Sequence, residues 1–147
     1  MKATTTSIRP RSLPPARLRI LVADDERDVV LSLMMMLRDE GHEVHGVHNP
    51  EEILSAVQRL LPDVVILDIA MPGPGGFQIA REIRAAVAGV KKPLLVAISG
   101  VYTRAPDILL SRSVGFDHHL TKPFDRRILT ETLRPLMLDA GASDAGV

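Results

Sequence analysis

Short apolar runs alternate with amphipathic stretches along most of this 147-residue chain. A short apolar run bounded by turn residues predicts a buried strand, and apolar residues spaced three and four apart predict a helix. Strands that alternate with helices favour a parallel sheet with helices on both faces, so the predicted fold class is α/β. The five predicted strands are Leu18–Ala23, Glu43–Val47, Val64–Leu67, Leu94–Ile98 and Phe116–Leu120.

Five helices are predicted between and after these strands. Residues Glu26–Glu40 carry apolar side chains at helical spacing. Asn49 is followed by a proline and two acidic residues, which is typical of a capped helix start. Two further helices are expected over Phe77–Ala88 and Ala105–Arg112, and the fifth follows the last strand.

Composition divides the chain into one domain between two tails. Residues 1–16 are rich in Thr, Ser, Arg and Pro, and predict a flexible basic tail. A targeting peptide is the alternative interpretation of this acid-free stretch, although its prolines interrupt any amphipathic helix. Residues 17–138 are expected to form the domain, with Asp125 capping its last helix and Pro135 ending or kinking it. Residues 139–147 are interpreted as a short C-terminal tail.

The residue inventory excludes several classes of function. The chain has no cysteine, which rules out disulfides, thiolate metal sites and thiol nucleophiles. No apolar run reaches the roughly 18 residues that a membrane-spanning helix needs, so no membrane partner is expected. Basic and acidic residues balance at 18 each, and there is no tryptophan. A basic surface or stacking platform for direct nucleic-acid binding is therefore not indicated.

Residues able to do chemistry stand where the apolar runs end. The carboxyl ends of parallel strands lie along one edge of a sheet, and ligands of such folds bind there. The sequence therefore predicts that side chains from distant segments converge at this edge. They are Asp24, Asp25, Asp68, Ser99 and Lys122.

Three carboxylates gathered in one place repel one another, and a hard divalent cation relieves that repulsion. Oxygen donors without Cys favour Mg²⁺ over Zn²⁺. An aspartate carboxylate can also accept a phosphoryl group as an acyl phosphate. Mg²⁺, a lysine and a hydroxyl donor would stabilise the charge on the transferring oxygens. The inventory therefore suits phosphoryl transfer onto an aspartate.

The segments LVADDE, VVILDIAMPGPGG, VAISG and HHLTKPF resemble the signature stretches of bacterial response-regulator receiver domains, which are CheY-like. The resemblance covers residues 17–138. It implies a flavodoxin-like (βα)₅ fold, whose five-stranded parallel sheet has the order 2-1-3-4-5. It also implies a cis peptide bond between Lys122 and Pro123, which helps to aim the lysine.

The same resemblance assigns roles to individual residues. Asp68 would be the phosphoacceptor, and Asp24 and Asp25 would hold Mg²⁺ with the backbone carbonyl of Ala70 as a further protein ligand. Ser99 and Lys122 would contact the phosphoryl group once it is attached.

Three residues depart from the family pattern. Gly75 stands where a small polar residue is common, which leaves the loop after Asp68 with fewer side-chain contacts. Ala70 stands where many receivers carry a polar side chain, which makes the dephosphorylation rate an open question. His119 stands where receivers usually carry the Tyr or Phe that moves inward on activation. A histidine titrates near neutrality, so whether it serves as a switch is also open.

The resemblance implies a cytoplasmic signalling module of a two-component system. Its partners would be a sensor histidine kinase or a histidine phosphotransfer protein, and a downstream protein target. The short C-terminal segment favours a stand-alone regulator that acts through protein contacts or as a phosphoryl relay or sink. The oligomeric state, monomer or weak homodimer, stays open.

Two alternatives remain from the residues themselves. One alternative is a scaffold that works without phosphorylation. The other is an aspartate-nucleophile phosphatase, a class that has a D-x-D signature at the first strand, where this chain has adjacent acids at Asp24 and Asp25. Taken one at a time, the same acids are also ordinary helix-cap or turn residues. His42, His45 and His48 are not expected to form a metal site, because alternate strand positions face opposite ways.

Overall fold

The computed structural model describes residues 17–70, 75–100, 113–123 and 125–146, the last eight of these by backbone alone. We number the elements in chain order. The strands are β1 (Arg19–Ala23), β2 (Glu43–Val47), β3 (Val64–Asp68), β4 (Leu94–Ser99) and β5 (His118–Thr121). The helices are α1 (Arg27–Asp39), α2 (Ile53–Leu60), α3 (Gly75–Ala86) and α4 (Arg126–Gly146).

All five strands pair in parallel, in the order β2-β1-β3-β4-β5. This is the predicted 2-1-3-4-5 order, so the flavodoxin-like α/β fold is confirmed. The register pairs Ala23 with Leu67, and Asp68 with Ile98. The carboxyl ends of β1, β3 and β4 therefore lie side by side at one edge of the sheet.

Each strand of the sheet interior is apolar on both sides because helices cover both faces. On one face, Leu21, Val65 and Leu95 belong to a buried cluster that also contains side chains of α2 and α3. On the other face, α1 contacts β1 and β2. Gly46 of β2 permits this contact, since a Cβ atom there would lie 2.6 Å from side-chain atoms of Val30 and Met34 in α1.

The N-terminal turn before α2 forms as the sequence predicts. The Asn49 side chain accepts a hydrogen bond from the backbone N–H of Glu51, and Pro50 occupies the first turn. The turn from Pro50 to Glu52 is a 3₁₀ turn that leads into α2. The helix ends at Leu61, which adopts the left-handed conformation with φ of 46°.

The fifth strand begins later than predicted. Phe116 is buried, but the ladder of β5 starts at His118. Just before the ladder, Asp117 donates its backbone N–H to the Leu95 carbonyl, while its carboxylate, rather than a backbone carbonyl, accepts the Leu95 N–H. Arg84 of α3 also donates to the Asp117 carboxylate, which fixes it in that position.

The last helix continues where the sequence predicts an end. Asp125 accepts a hydrogen bond from the Ile128 N–H, as expected of a cap. The helix then runs through Pro135 to Gly146, so of the two outcomes expected at Pro135, an end or a kink, the end does not occur, and residues 139–146 of the expected tail are helical. Proline removes one hydrogen bond and costs about 3 kcal/mol, but flanking turns can each continue the helix. The predicted helix over residues 105–112 and the predicted tail over residues 1–16 lie outside the described residues.

Two of the three histidines in the second strand region, His42 and His45, have separate environments. Nδ1 of His42 accepts a hydrogen bond from the backbone N–H of Leu18 at 3.1 Å. His45 instead pairs with the half-buried Glu43 carboxylate at 2.7 Å. Burial lowers the pKa of His42, because the charged ring would lose its hydration and because a protonated Nδ1 could not accept from Leu18.

Acid should therefore destabilise the fold through His42. Its pKa in the folded state lies below the unfolded value, so both states are neutral above about pH 7, and the unfolded state binds the proton first as pH falls. We expect the free energy of unfolding to decline below the unfolded pKa, with a slope of at most about 1.4 kcal/mol per pH unit from this one group. Urea titrations from pH 5 to 8 should show a shallower decline for His42→Gln. An equal slope in both proteins would contradict the assignment.

Gly76 lets α3 lie directly on the backbone that follows β3. A Cβ atom at Gly76 would stand 2.4 Å from the Cα of Ile69 and 2.9 Å from the carbonyl oxygen of Asp68. Alanine is favoured over glycine inside a helix by about 1 kcal/mol, yet we expect Gly76→Ala to destabilise the protein by about 1–3 kcal/mol through overpacking. Urea unfolding measures this. Gly100→Ala is the matched control, because a Cβ atom there meets nothing within 4 Å.

Candidate functional site

Asp24 is the first residue after β1 and is fully buried. Its backbone N–H donates to the carbonyl of Val47, which extends the sheet pairing by one residue. One carboxylate oxygen accepts the backbone N–H of Glu26 at 3.0 Å, and the other accepts Nζ of Lys122 at 3.0 Å. Both oxygens of this buried carboxylate are therefore held in fixed positions.

Asp68 ends β3 and is 5% exposed. Oδ1 accepts the backbone N–H of Ala70 at 2.9 Å, and Oδ2 lies 3.6 Å from Nζ of Lys122. The next backbone N–H, of Ile69, donates to the carbonyl of Ile98 on β4. The Asp68 carboxylate is thus anchored through one oxygen, while its second oxygen faces the lysine.

Asp24, Asp25 and Asp68 form an acidic cluster, in which one carboxylate oxygen of each lies within 4.8 Å of the others. Asp24 and Asp68 are buried, whereas Asp25 is exposed, so the cluster is accessible from that side. Ligand oxygens on opposite sides of a Mg²⁺-sized ion are about 4.2 Å apart, which small side-chain adjustments would reach. The donor set consists of carboxylates alone, and carboxylate oxygens are ligands that hard divalent cations such as Mg²⁺ prefer.

Lys122 is the cation that the protein itself supplies to this cluster. The peptide bond to Pro123 is cis, and the backbone N–H of Lys122 donates to the carbonyl of Ser99 at 2.6 Å. Burial alone would lower the pKa of Lys122, but its contacts with Asp24, Asp68 and Glu26 outweigh burial and raise it. The ammonium therefore stays charged among the carboxylates.

One lysine does not neutralise the acidic cluster. Burial raises the pKa of Asp24, and the nearby charge of Asp68 adds to that effect, while hydrogen bonds from Glu26 and Lys122 act in the opposite direction. Burial is the largest of these effects, and the hydrogen bonds do not fully offset it. A bound divalent cation would stabilise the charged form of these carboxylates.

Ser99 and His119 meet beside the cluster. Ser99 is the buried last residue of β4, and its Oγ lies 2.7 Å from Nε2 of His119 on β5. The sequence singles out both residues but does not predict that they are hydrogen bonded to each other. Ala70 is placed next to Asp68 through its N–H, and the role of its carbonyl stays a prediction.

Glu26 is a further residue of the site, and no sequence pattern described above predicts it. Its carboxylate lies 3.3 Å from Nζ of Lys122 at the exposed rim of the site. The available signal was its position directly after Asp24 and Asp25, at the start of α1. An acidic residue there also suits the positive end of the helix dipole.

Removal of the lysine charge should expose the repulsion within the cluster. We expect Lys122→Met to lower the free energy of unfolding in EDTA by about 2–3 kcal/mol, because it leaves the buried Asp24 charge without its partner. The loss should shrink in an Asp24→Asn background, which urea unfolding of the four proteins in a double-mutant cycle will show.

Lys91→Met is the matched control for this cycle. Lys91 pairs with Asp63 on the surface, at 2.8 Å and with both side chains partly exposed. Such pairs contribute about 0–1 kcal/mol. Equal losses for Lys91→Met and Lys122→Met would argue against special electrostatics at the cluster.

Comparison with known proteins gives consistent matches. The chain is 35% identical over 118 residues to the DNA-binding response regulator MtrA of Mycobacterium tuberculosis, covering 80% of this chain and 50% of MtrA. It is 36% identical over 110 residues to an uncharacterized 14.6 kDa protein of Leptolyngbya boryana, covering 75% of this chain and 82% of that protein. The chain therefore spans about half the length of its MtrA relatives, and most of the length of the other.

Solved structures with a similar fold are also receiver or chemotaxis proteins. The chemotaxis protein CheY4 of Vibrio cholerae superimposes with a TM-score of 0.74 at 27% identity, covering 82% of this chain and 98% of CheY4. A receiver domain protein from Clostridium thermocellum gives a TM-score of 0.74 at 25% identity, with 83% and 95% coverage. Residues 20–134 match the family described as response regulator receiver domain. The chain belongs to the receiver domain family of two-component response regulators.

Proposed function

We propose that this protein accepts a phosphoryl group on Asp68 in a Mg²⁺-dependent reaction. The donor would be a sensor histidine kinase or a histidine phosphotransfer protein, and the product would signal through protein contacts or pass the group on. The observation that carries the proposal is the placement of Asp68, with Oδ2 facing Lys122 inside the acidic cluster. Membership of the receiver family, whose domains are phosphoacceptors, supports the same reaction.

Each residue of the site has a part in this reaction. Oδ2 of Asp68 would attack phosphorus, so that the new O–P bond forms as the N–P bond of a phosphohistidine breaks and the imidazole leaves with the bonding electrons. The Ala70 N–H holds Oδ1 and orients the carboxylate. Lys122 balances negative charge on the transferring oxygens, since its ammonium already lies 3.6 Å from the attacking carboxylate.

Asp24, Asp25 and Asp68 are the residues that would hold Mg²⁺, with the Ala70 carbonyl as the further protein ligand. When bound, the ion would neutralise carboxylate repulsion and stabilise charge on the phosphoryl oxygens. The exposed position of Asp25 leaves an open side through which the ion and the phosphodonor can enter.

Ser99 would donate its hydroxyl to a phosphoryl oxygen after transfer. It is the residue after Ile98, the register partner of Asp68, so it lies on the strand next to the acceptor. The change in its hydrogen bonding would shift the population between two states of the domain. His119, as the residue bonded to Ser99, would sense that change.

Two other functions are weaker alternatives. A scaffold that never accepts a phosphoryl group does not require Asp68 to face Lys122 beside two further carboxylates. A phosphatase of the D-x-D type would need its nucleophile at the end of β1, whereas the lysine-facing acceptor is on β3.

No helix among the described residues has the length and apolar character to cross a membrane. From membership of the receiver family, we propose a cytoplasmic location.

Acetyl phosphate with Mg²⁺ should phosphorylate the isolated protein. We expect a mass gain of one phosphate that is lost in base and abolished by EDTA, because the donor's charge has to be neutralised at the cluster. Intact-mass spectrometry checks the gain, and peptide mapping after borohydride reduction locates it on Asp68.

Asp68→Asn should abolish the mass gain, whereas Asp28→Asn should keep it. Asp28 makes a fair control because it is an exposed aspartate in the first turn of α1, near but outside the acidic cluster. A gain of the same size in Asp68→Asn, or no gain in the unmodified protein with Mg²⁺, would refute the proposed function.

A further inference from the structure

The Ser99–His119 pair departs from the expected family pattern in a way that has chemical consequences. Ser99 Oγ and His119 Nε2 are 2.7 Å apart, which is a short hydrogen bond for an oxygen and a nitrogen. His119 pairs in register with Ala97, two residues before Ser99, so both side chains project from the same face of the sheet. Ser99 is 2% exposed, and His119 is half-buried.

The direction of this hydrogen bond follows from counting protons. A serine hydroxyl has one proton to donate, and a neutral imidazole carries one N–H and one accepting nitrogen. Among the described residues, the hydrogen-bond partner of the Ser99 side chain is His119. A buried hydroxyl rarely leaves its proton without an acceptor, so in the unmodified protein Ser99 donates to an unprotonated Nε2.

We propose that phosphorylation of Asp68 reverses the direction of the Ser99–His119 hydrogen bond. This inference rests on the proposed function. A phosphoryl oxygen only accepts hydrogen bonds, so the Ser99 hydroxyl has to turn its single proton away from Nε2 and toward that oxygen. The pair then stays bonded if Nε2 takes up one proton from a buffer acid in the solvent and donates it to Ser99 Oγ. An N–H bond forms at Nε2 as the buffer acid loses its proton to become its conjugate base, and the imidazole, which keeps its other N–H, becomes a cationic imidazolium.

This makes His119 a positioning residue that changes its protonation with the state of Asp68. A phenylalanine at the same place would have no proton to give, so the histidine creates a response that the usual apolar switch residue lacks. β5 is the edge strand of the described sheet, and the ring of His119 is half-buried. Protonation of Nε2 would therefore change the charge near the surface of the domain in response to phosphorylation of the buried Asp68.

Nitrogen-15 NMR of the histidine rings tests the proposal. Beryllofluoride with Mg²⁺ serves as the stable mimic of the aspartyl phosphate. Without beryllofluoride, we expect the His119 Nε2 resonance in the region of unprotonated, pyridine-type nitrogen. With it, the resonance should move to the protonated, pyrrole-type region. His118 is the internal control, because it is the exposed neighbour on the opposite side of the strand and should not move.

Two variants isolate the hydroxyl. Ser99→Ala should remove the Nε2 response to beryllofluoride, and Ser99→Thr, which retains a hydroxyl, should restore it. An Nε2 resonance that moves equally in Ser99→Ala would show that the response does not pass through the hydroxyl, and would overturn the inference.

The outcomes separate this inference from the proposed function. If acetyl phosphate adds a phosphate to Asp68 but beryllofluoride leaves Nε2 unchanged, the hydrogen-bond reversal is wrong and the proposed function stands. If no phosphate is added to Asp68, the proposed function fails, and the reversal that depends on it fails too.

Discussion

The contact between Lys122 and the acidic cluster is the interaction on which the site depends. Its ammonium lies within 3.6 Å of oxygens from three carboxylates, two of which are buried. A single positive charge pairs with the cluster, while burial is the main reason that the pKa of Asp24 is raised. Burial of like charges costs free energy, so these acids are not explained by stability alone. The proposed binding of a cation and a phosphoryl group would account for them.

The backbone of the sheet makes this cluster possible. Asp24 and Asp68 come from β1 and β3, which pair directly. The Asp24 N–H extends the pairing of β1 with β2, and the Ile69 N–H extends the pairing of β3 with β4, past the last strand residues. Carboxylates held by the ladder cannot separate to relieve their repulsion. Gly76 adds to this restraint, because α3 lies against the same backbone without a Cβ atom between them. Hydrogen bonds and packing around the site therefore offset the repulsion between its carboxylates.

The sequence was sufficient for the fold and for most residues of the site, because both follow from local patterns. An apolar run with a polar residue at its end identifies both a strand and the edge at which that strand terminates, and parallel topology then brings Asp24 and Asp68 together. Side-chain pairings between strands are different in kind. The Ser99–His119 bond and the contact of Lys122 with Glu26 depend on rotamers and register, which no local pattern encodes.

Errors in the predicted element ends have a similar origin. The fifth strand begins later than its apolar pattern predicts. Asp117 contacts Arg84 and the Leu95 N–H, and these tertiary contacts are not visible in the local sequence. The last helix continues past Pro135 because the helical turns on either side of it outweigh the intrinsic penalty of a proline inside a helix. In both cases a local preference was real but smaller than the contribution of its neighbours.

The residue at position 119 shows why a departure from a family pattern carries information. The fold places position 119 beside Ser99, so any side chain there contacts the same hydroxyl. An apolar ring packs against it, and its two states differ in position. An imidazole forms a hydrogen bond with it, and its two states differ in the location of a proton, because the hydroxyl has only one proton to donate. The fold fixes where the signal is read, and the side chain fixes whether that signal is a movement or a proton.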